Sequence, residues 1–83
     1  MWRFWRTVPP LVQAAVCGRQ DGVHQAASDH WHQRPCPVAA RAGVAAAAFQ
    51  RRFRIGLHDD RPDLTSARDT YIQAFLTGYA EVR

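Results

Sequence analysis

The chain reads as an all-α protein, a small two- to three-helix bundle with an irregular, poorly ordered N-terminal half. Three observations carry that reading. In residues 43–54, Val44, Ala45, Ala48, Phe49 and Phe53 fall along one side of a helix, and the alanine run has the highest intrinsic helix propensity. Further on, Leu64, Ala67, Tyr71, Phe75 and Tyr79 form a second apolar stripe, widened by Ile72 and Leu76. The third is length: 83 residues bury only about 60–65% of the surface an unfolded chain exposes, enough for one core and too little for a multidomain enzyme.

The elements are expected in two unlike stretches. Residues 1–42 hold all three Trp, both Cys and most of the His and Pro, and show little periodicity. One short helix is expected near Leu11 to Cys17, begun by Pro9 or Pro10 in its first turn and stopped by Gly18. From Gly18 to Pro37 the Gly, Gln, Asp, His and Pro content predicts a loop, with a single helical turn around Gln25 to Ser28. Residues 43–83 form the helical module. Its first helix is expected from Val44 to Arg54, with Gly56 suited to stop it, and Leu57 to Pro62 read as a turn. The second is expected from Leu64 to Glu81, with Asp63 as N-cap after Pro62.

At the start, Trp2, Arg3, Phe4, Trp5 and Arg6 precede an apolar run from Val8 to Cys17, in superficial imitation of an export signal. Pro9, Pro10 and Gln13 interrupt that run. No stretch approaches the roughly 18 apolar residues that a membrane span needs. Asp29, His30 and His32 offer zinc-competent groups, but His30 and His32 are two residues apart and match no helical ligand pair, so no metal, cofactor or catalytic residue is assigned. Cys17 and Cys36 lack a C-x-x-C spacing and fit one disulfide or two free thiols equally well.

Net charge is +4 with a pI near 10.0, which permits nucleic acid, anionic lipid or a carboxylate-rich polymer as partner without choosing among them. Every basic side chain is Arg: there are eleven, and no Lys. Arg and Ala have GC-rich codons, so the bias reports a GC-rich genome before it reports function. Arg51, Arg52 and Arg54 are the one cluster. Their plain role is to complement the C-terminal dipole of a helix, and their binding role is to pair with carboxylates. Tyr71 and Tyr79 are core residues by spacing and sugar-stacking residues if exposed.

The segment Ala48-Phe49-Gln50-Arg51-Arg52-Phe53-Arg54, followed after four residues by Asp59-Asp60-Arg61-Pro62-Asp63-Leu64-Thr65-Ser66, resembles the C-terminal peptidoglycan-binding domain of N-acetylmuramoyl-L-alanine amidases. Leu76-Thr77-Gly78-Tyr79 is similar to that family's closing motif once two residues are inserted before it. The chain differs in having Ile55 in place of proline, Asp60 in place of glycine, and Thr65-Ser66 in place of Glu-Thr. The resemblance covers residues 44–79 and leaves out the family's zinc-dependent catalytic domain. It implies a non-catalytic wall-binding module, a fragment or remnant of such an amidase, located in the periplasm or cell envelope. Arg51, Arg52, Arg54, Tyr71 and Tyr79 would then be its ligand-binding residues and peptidoglycan its partner. Two rival readings are kept. Phe49-Gln50-Arg51-Arg52-Phe53-Arg54 also resembles the second helix-turn-helix of AraC-type regulators, which implies a cytoplasmic DNA-binding protein. The composition of the first half also suits the product of a GC-rich open reading frame with no autonomous function, in which that half has no regular structure.

Overall fold

The computed structural model describes residues 9–55 and 61–82. Three helices account for nearly all of them: α1 (Leu11–Trp31), α2 (Val38–Phe53) and α3 (Pro62–Glu81). The class is all-α, as the two stripes predict. The length of the first helix is not. The loop expected from Gly18 to Pro37 is helix as far as Trp31, so α1 runs 21 residues through both Gly18 and Gly22.

The reason lies across the interface rather than in α1. Ala14, Gly18, Gly22 and Ala26 recur every fourth residue, which leaves one side of α1 with nothing longer than a methyl group, and all four are buried. A Cβ placed on Gly18 would run into the carbonyl of Tyr71, and one on Gly22 into the carbonyl of Phe75. From the other side, a Cβ on Gly78 of α3 would strike the carbonyl of Arg19. The two backbones therefore touch, which only small residues at four-residue spacing allow. Each helical glycine costs about 1 kcal/mol in propensity relative to Ala, and close packing offsets it. Local propensity alone reads Gly18 as a stop.

Direction follows from the contacts between helices. Tyr71 bonds Asp21 and Tyr79 bonds Asp29, both across 50 residues, so α1 and α3 run the same way. Phe49 meets Tyr71 while Arg41 meets Tyr79, so α2 runs against them. The core cluster joins Ala14, Cys17 and Ala26 of α1 to Ala45 and Phe49 of α2 and to Leu64, Ala67, Tyr71, Phe75 and Tyr79 of α3, closed by Ile55. It thus crosses the division expected at residues 42 and 43. Trp31 takes no part and is 85% exposed, and Trp2 and Trp5 lie outside the described residues.

The helix ends are built from ordinary capping chemistry with unusual residues. Pro10, Pro37 and Arg61 occupy the three N-cap positions without a side-chain cap bond: the two prolines bring a preset backbone angle, and Arg61 is kept extended by the Pro62 that follows it. Pro62 is therefore the first helical residue of α3. Asp63 lies one position inside the helix, not at its N-cap, where it still accepts the N–H of Leu64 at 3.0 Å and complements the helix dipole. After α1, Gln33 takes the left-handed conformation (φ 56°), letting Gln33 N–H reach His30 O and Arg34 N–H reach Asp29 O. After α2, Arg54 does the same (φ 54°), with Ile55 N–H bonding Gln50 O while its side chain enters the core. The stop expected at Gly56 thus comes two residues earlier. Gly56 itself and the Asp59-Asp60 turn lie outside the described residues.

Candidate functional site

The five residues expected to bind ligand separate into two groups. Tyr71 is fully buried and Tyr79 nearly so. Tyr71 meets Phe49 edge-on at 5.3 Å and Phe53 at 6.2 Å, with Phe75 at 6.2 Å. Phe75 stacks on Tyr79 at 6.4 Å, and the Arg41 guanidinium sits over the Tyr79 ring at 4.4 Å. Neither ring offers a free face to a sugar. This corrects their assignment as stacking residues: the helical spacing that put them on one stripe put them in the core.

The phenol groups nevertheless do specific work. The Tyr71 hydroxyl donates to Asp21, and the Tyr79 hydroxyl donates to Asp29 at 2.6 Å while accepting the Cys36 N–H at 2.8 Å. Tyr79 thereby ties α3 both to the end of α1 and to the connector before α2. Asp29 also accepts from Gln25 at 2.9 Å, and the His32 ring pairs with Ser28 O at 2.8 Å. Asp29 and His32 are therefore engaged at the end of α1, and among the described residues no three His, Cys, Asp or Glu side chains are placed to hold a metal ion. Sequence reasoning missed the two Tyr–Asp pairs. Their trace was an equal spacing of eight residues, slightly over two helical turns, between Asp21 and Asp29 and between Tyr71 and Tyr79.

Cys17 and Cys36 are both free thiols. Cys17 lies near Asp21, Tyr71 and Arg52, while Cys36 sits against Tyr79. Those tyrosines are eight residues apart on α3, roughly 12 Å at helical rise, too far for one disulfide.

Both phenols are held above the ordinary tyrosine range. Burial is the main cause in each case, with the bond to Asp21 next for Tyr71 and the bond to Asp29 next for Tyr79. Above about pH 10 an unfolded tyrosine loses its proton while these two keep theirs, so the fold then binds more protons than the unfolded chain. Stability is full below that pH and falls above it, by up to about 1.4 kcal/mol per pH unit for each phenol. Denaturant midpoints should accordingly drop between pH 9 and pH 11, and Tyr71→Phe should reduce the slope. An unchanged slope in that variant would show that Tyr71 does not titrate with unfolding.

The arginines form the second group. Arg51 and Arg52 lie in the last turn of α2 and Arg54 caps it, all three exposed. Arg52 is partly committed: its guanidinium, held above the ordinary value chiefly by the neighbouring Cys17 thiol, lies 3.5 Å from Asp21. The reach of Arg52 to α1 brings the C-terminal end of α2 beside the N-terminal half of α1. Arg68 of α3 lies over Phe49, with its guanidinium 5.9 Å from the ring. Guanidinium groups from two helices therefore gather at one end of the bundle, and Arg61 begins α3 at that same end.

Fold and site together define a small three-helix bundle with a cluster of arginines at one end. Compared with protein-family models, curated proteins and solved structures, the chain matches none of them. No described helix is long and apolar enough to cross a membrane.

Proposed function

We propose that the chain is a non-catalytic binding module for a carboxylate-bearing polymer, with peptidoglycan as its ligand. The supporting observation is the exposed arginine end, where Arg51 and Arg54 project from the close of α2 and Arg52 is braced against α1. Planar guanidinium forks suit the carboxylates that peptidoglycan stem peptides present. The last turn of α2 carries a partial negative charge, which favours keeping the cations there. The resemblance of residues 44–79 to an amidase wall-binding domain points to the same ligand. With Tyr71 and Tyr79 withdrawn into the core, binding in this reading is ionic, without sugar stacking, and weakens as salt rises.

A DNA-binding reading draws less support. Helix-turn-helix motifs join their helices by three or four residues, whereas Phe53 and Pro62 are separated by eight residues and α2 lies antiparallel to α3.

Co-sedimentation with purified sacculi tests the proposal. The chain is expected to pellet above a control protein of equal charge. Arg51→Gln combined with Arg54→Gln should lower the retained fraction about tenfold, equivalent to roughly 1.4 kcal/mol, with helicity intact. Pelleting no better than the control would overturn the proposal, as would stronger, salt-dependent retention on duplex DNA.

A further inference from the structure

Arg52 is the member of the arginine end that the bundle itself engages. Its guanidinium reaches from α2 to α1, with Nη1 3.5 Å from Oδ1 of Asp21. A close charge-assisted bond spans about 2.7–2.9 Å, and the Arg19–Glu81 pair closes to 2.9 Å. The Arg52–Asp21 contact is therefore a loose one. Its two members are also unequally committed. Oδ2 of Asp21 accepts from the Tyr71 hydroxyl, so the carboxylate keeps a partner on α3 if Arg52 leaves. The Arg52 side chain is 41% exposed against 22% for Asp21, so it can turn to solvent while the carboxylate stays where it is.

Nothing larger than a side chain needs to move. Phe49, fully buried and 5.3 Å from Tyr71, holds α2 to α3 whether or not Arg52 is engaged. Arg51, Arg52 and Arg54 lie within one helical turn, about 4.5 Å along the axis. A polymer seated on Arg51 and Arg54 thus brings further carboxylates beside Arg52. Asp21 offers Arg52 the same chemical group as that polymer does.

We propose that Asp21 is an intramolecular stand-in for the ligand's carboxylate: it holds Arg52 against α1 in the free chain and yields it when a carboxylate polymer docks on Arg51 and Arg54. The contact is autoinhibitory, because the free chain holds back one of its three clustered guanidinium groups. The inference rests on the carboxylate-binding reading of the arginine end and adds how that end is regulated.

The experiment measures the affinity of the full chain for poly-L-glutamate, with Asp21→Asn as the central variant. Asn keeps an oxygen to accept the Tyr71 hydroxyl but has no charge to hold Arg52, so circular dichroism should be unchanged. Affinity should rise about two- to fivefold, the equivalent of one partly exposed ion pair. Asp29→Asn is the charge-matched control. Asp29 bonds Tyr79 as Asp21 bonds Tyr71, but it lies eight residues further along α1. That is about 12 Å at helical rise, beyond the screening length of about 8 Å at physiological salt, so affinity should stay within about 1.5-fold. In an Arg52→Gln background the gain from Asp21→Asn should vanish. In the unsubstituted chain, the Arg52 Nε–H resonance should shift along with those of Arg51 and Arg54 as poly-L-glutamate is added, a readout that depends on no variant folding. No gain from Asp21→Asn, an equal gain from Asp29→Asn, a gain that survives Arg52→Gln, or an Arg52 resonance that stays fixed while the other two shift would overturn the inference and leave the carboxylate reading in place. Absence of binding to poly-L-glutamate by every variant would overturn both.

Discussion

Gly22→Ala is expected to destabilise the bundle by about 2–3 kcal/mol, against the usual sign of a glycine-to-alanine change in a helix. A methyl group at this position meets the Phe75 carbonyl, its carbonyl carbon and its Cα, all backbone atoms that cannot swing aside. Accommodating it means driving α1 away from α3 along the closest helix–helix interface among the described residues. A core of this size supplies only about 3–5 kcal/mol in all, so the variant should retain at most about 3 kcal/mol and unfold at much lower urea. Gly43→Ala is the matched control. Gly43 lies in α2, where an added Cβ meets nothing within 4 Å and φ is not positive. There alanine should stabilise by up to about 1 kcal/mol. Urea midpoints moving in opposite directions for these two substitutions would verify the seam. A neutral or stabilising Gly22→Ala would mean that the helices do not touch.

Phe49→Ala should cost about 3–5 kcal/mol, the range for removing a buried aromatic ring. Phe49 is fully buried and packs at 5.1 Å on Phe53 and 5.3 Å on Tyr71, with Arg68 over its ring. It is the main side chain by which α2 attaches to α3. Its loss would leave Ala45 and Ile55 as the remaining buried apolar side chains on that side of the core. Phe53→Ala, at a partly buried position, should cost less. The order is read directly from thermal midpoints, and an equal or larger loss at Phe53 would overturn this account of the α2 interface.

The contrast between Gly22 and Phe49 shows how much of the fold was legible in the amino-acid order. Phe49 was readable: it sits in a strong helical pattern, and large apolar groups on such a stripe lie inward in almost any packing. The same holds for Leu64, Tyr71, Phe75 and Tyr79, all of them buried. The start of α2 was less legible. Val38 to Ala42 has no large apolar stripe, yet α2 begins at Val38 because Pro37 sets the angle and alanines carry the helix onward. The left-handed stop at Arg54, rather than at Gly56, had no local signal at all, since non-glycine residues take that conformation only where surrounding bonds such as Ile55 N–H to Gln50 O hold them there.

Of the site residues, the arginine cluster was legible because charge at a helix end stays in solvent under most packings. The fate of the tyrosines was decided by burial on α3, and that of Asp21 and Asp29 by the register between two helices 50 residues apart in the chain. Local sequence alone thus determined an all-α class, the two apolar stripes and a basic end. Only the tertiary structure decided that residues 18–31 are helix and that α1 packs on α3 through glycine. The physical reason is that a glycine's local preference is to end a helix, while its lack of a side chain gains value only when a second backbone, distant in sequence, occupies the space left open.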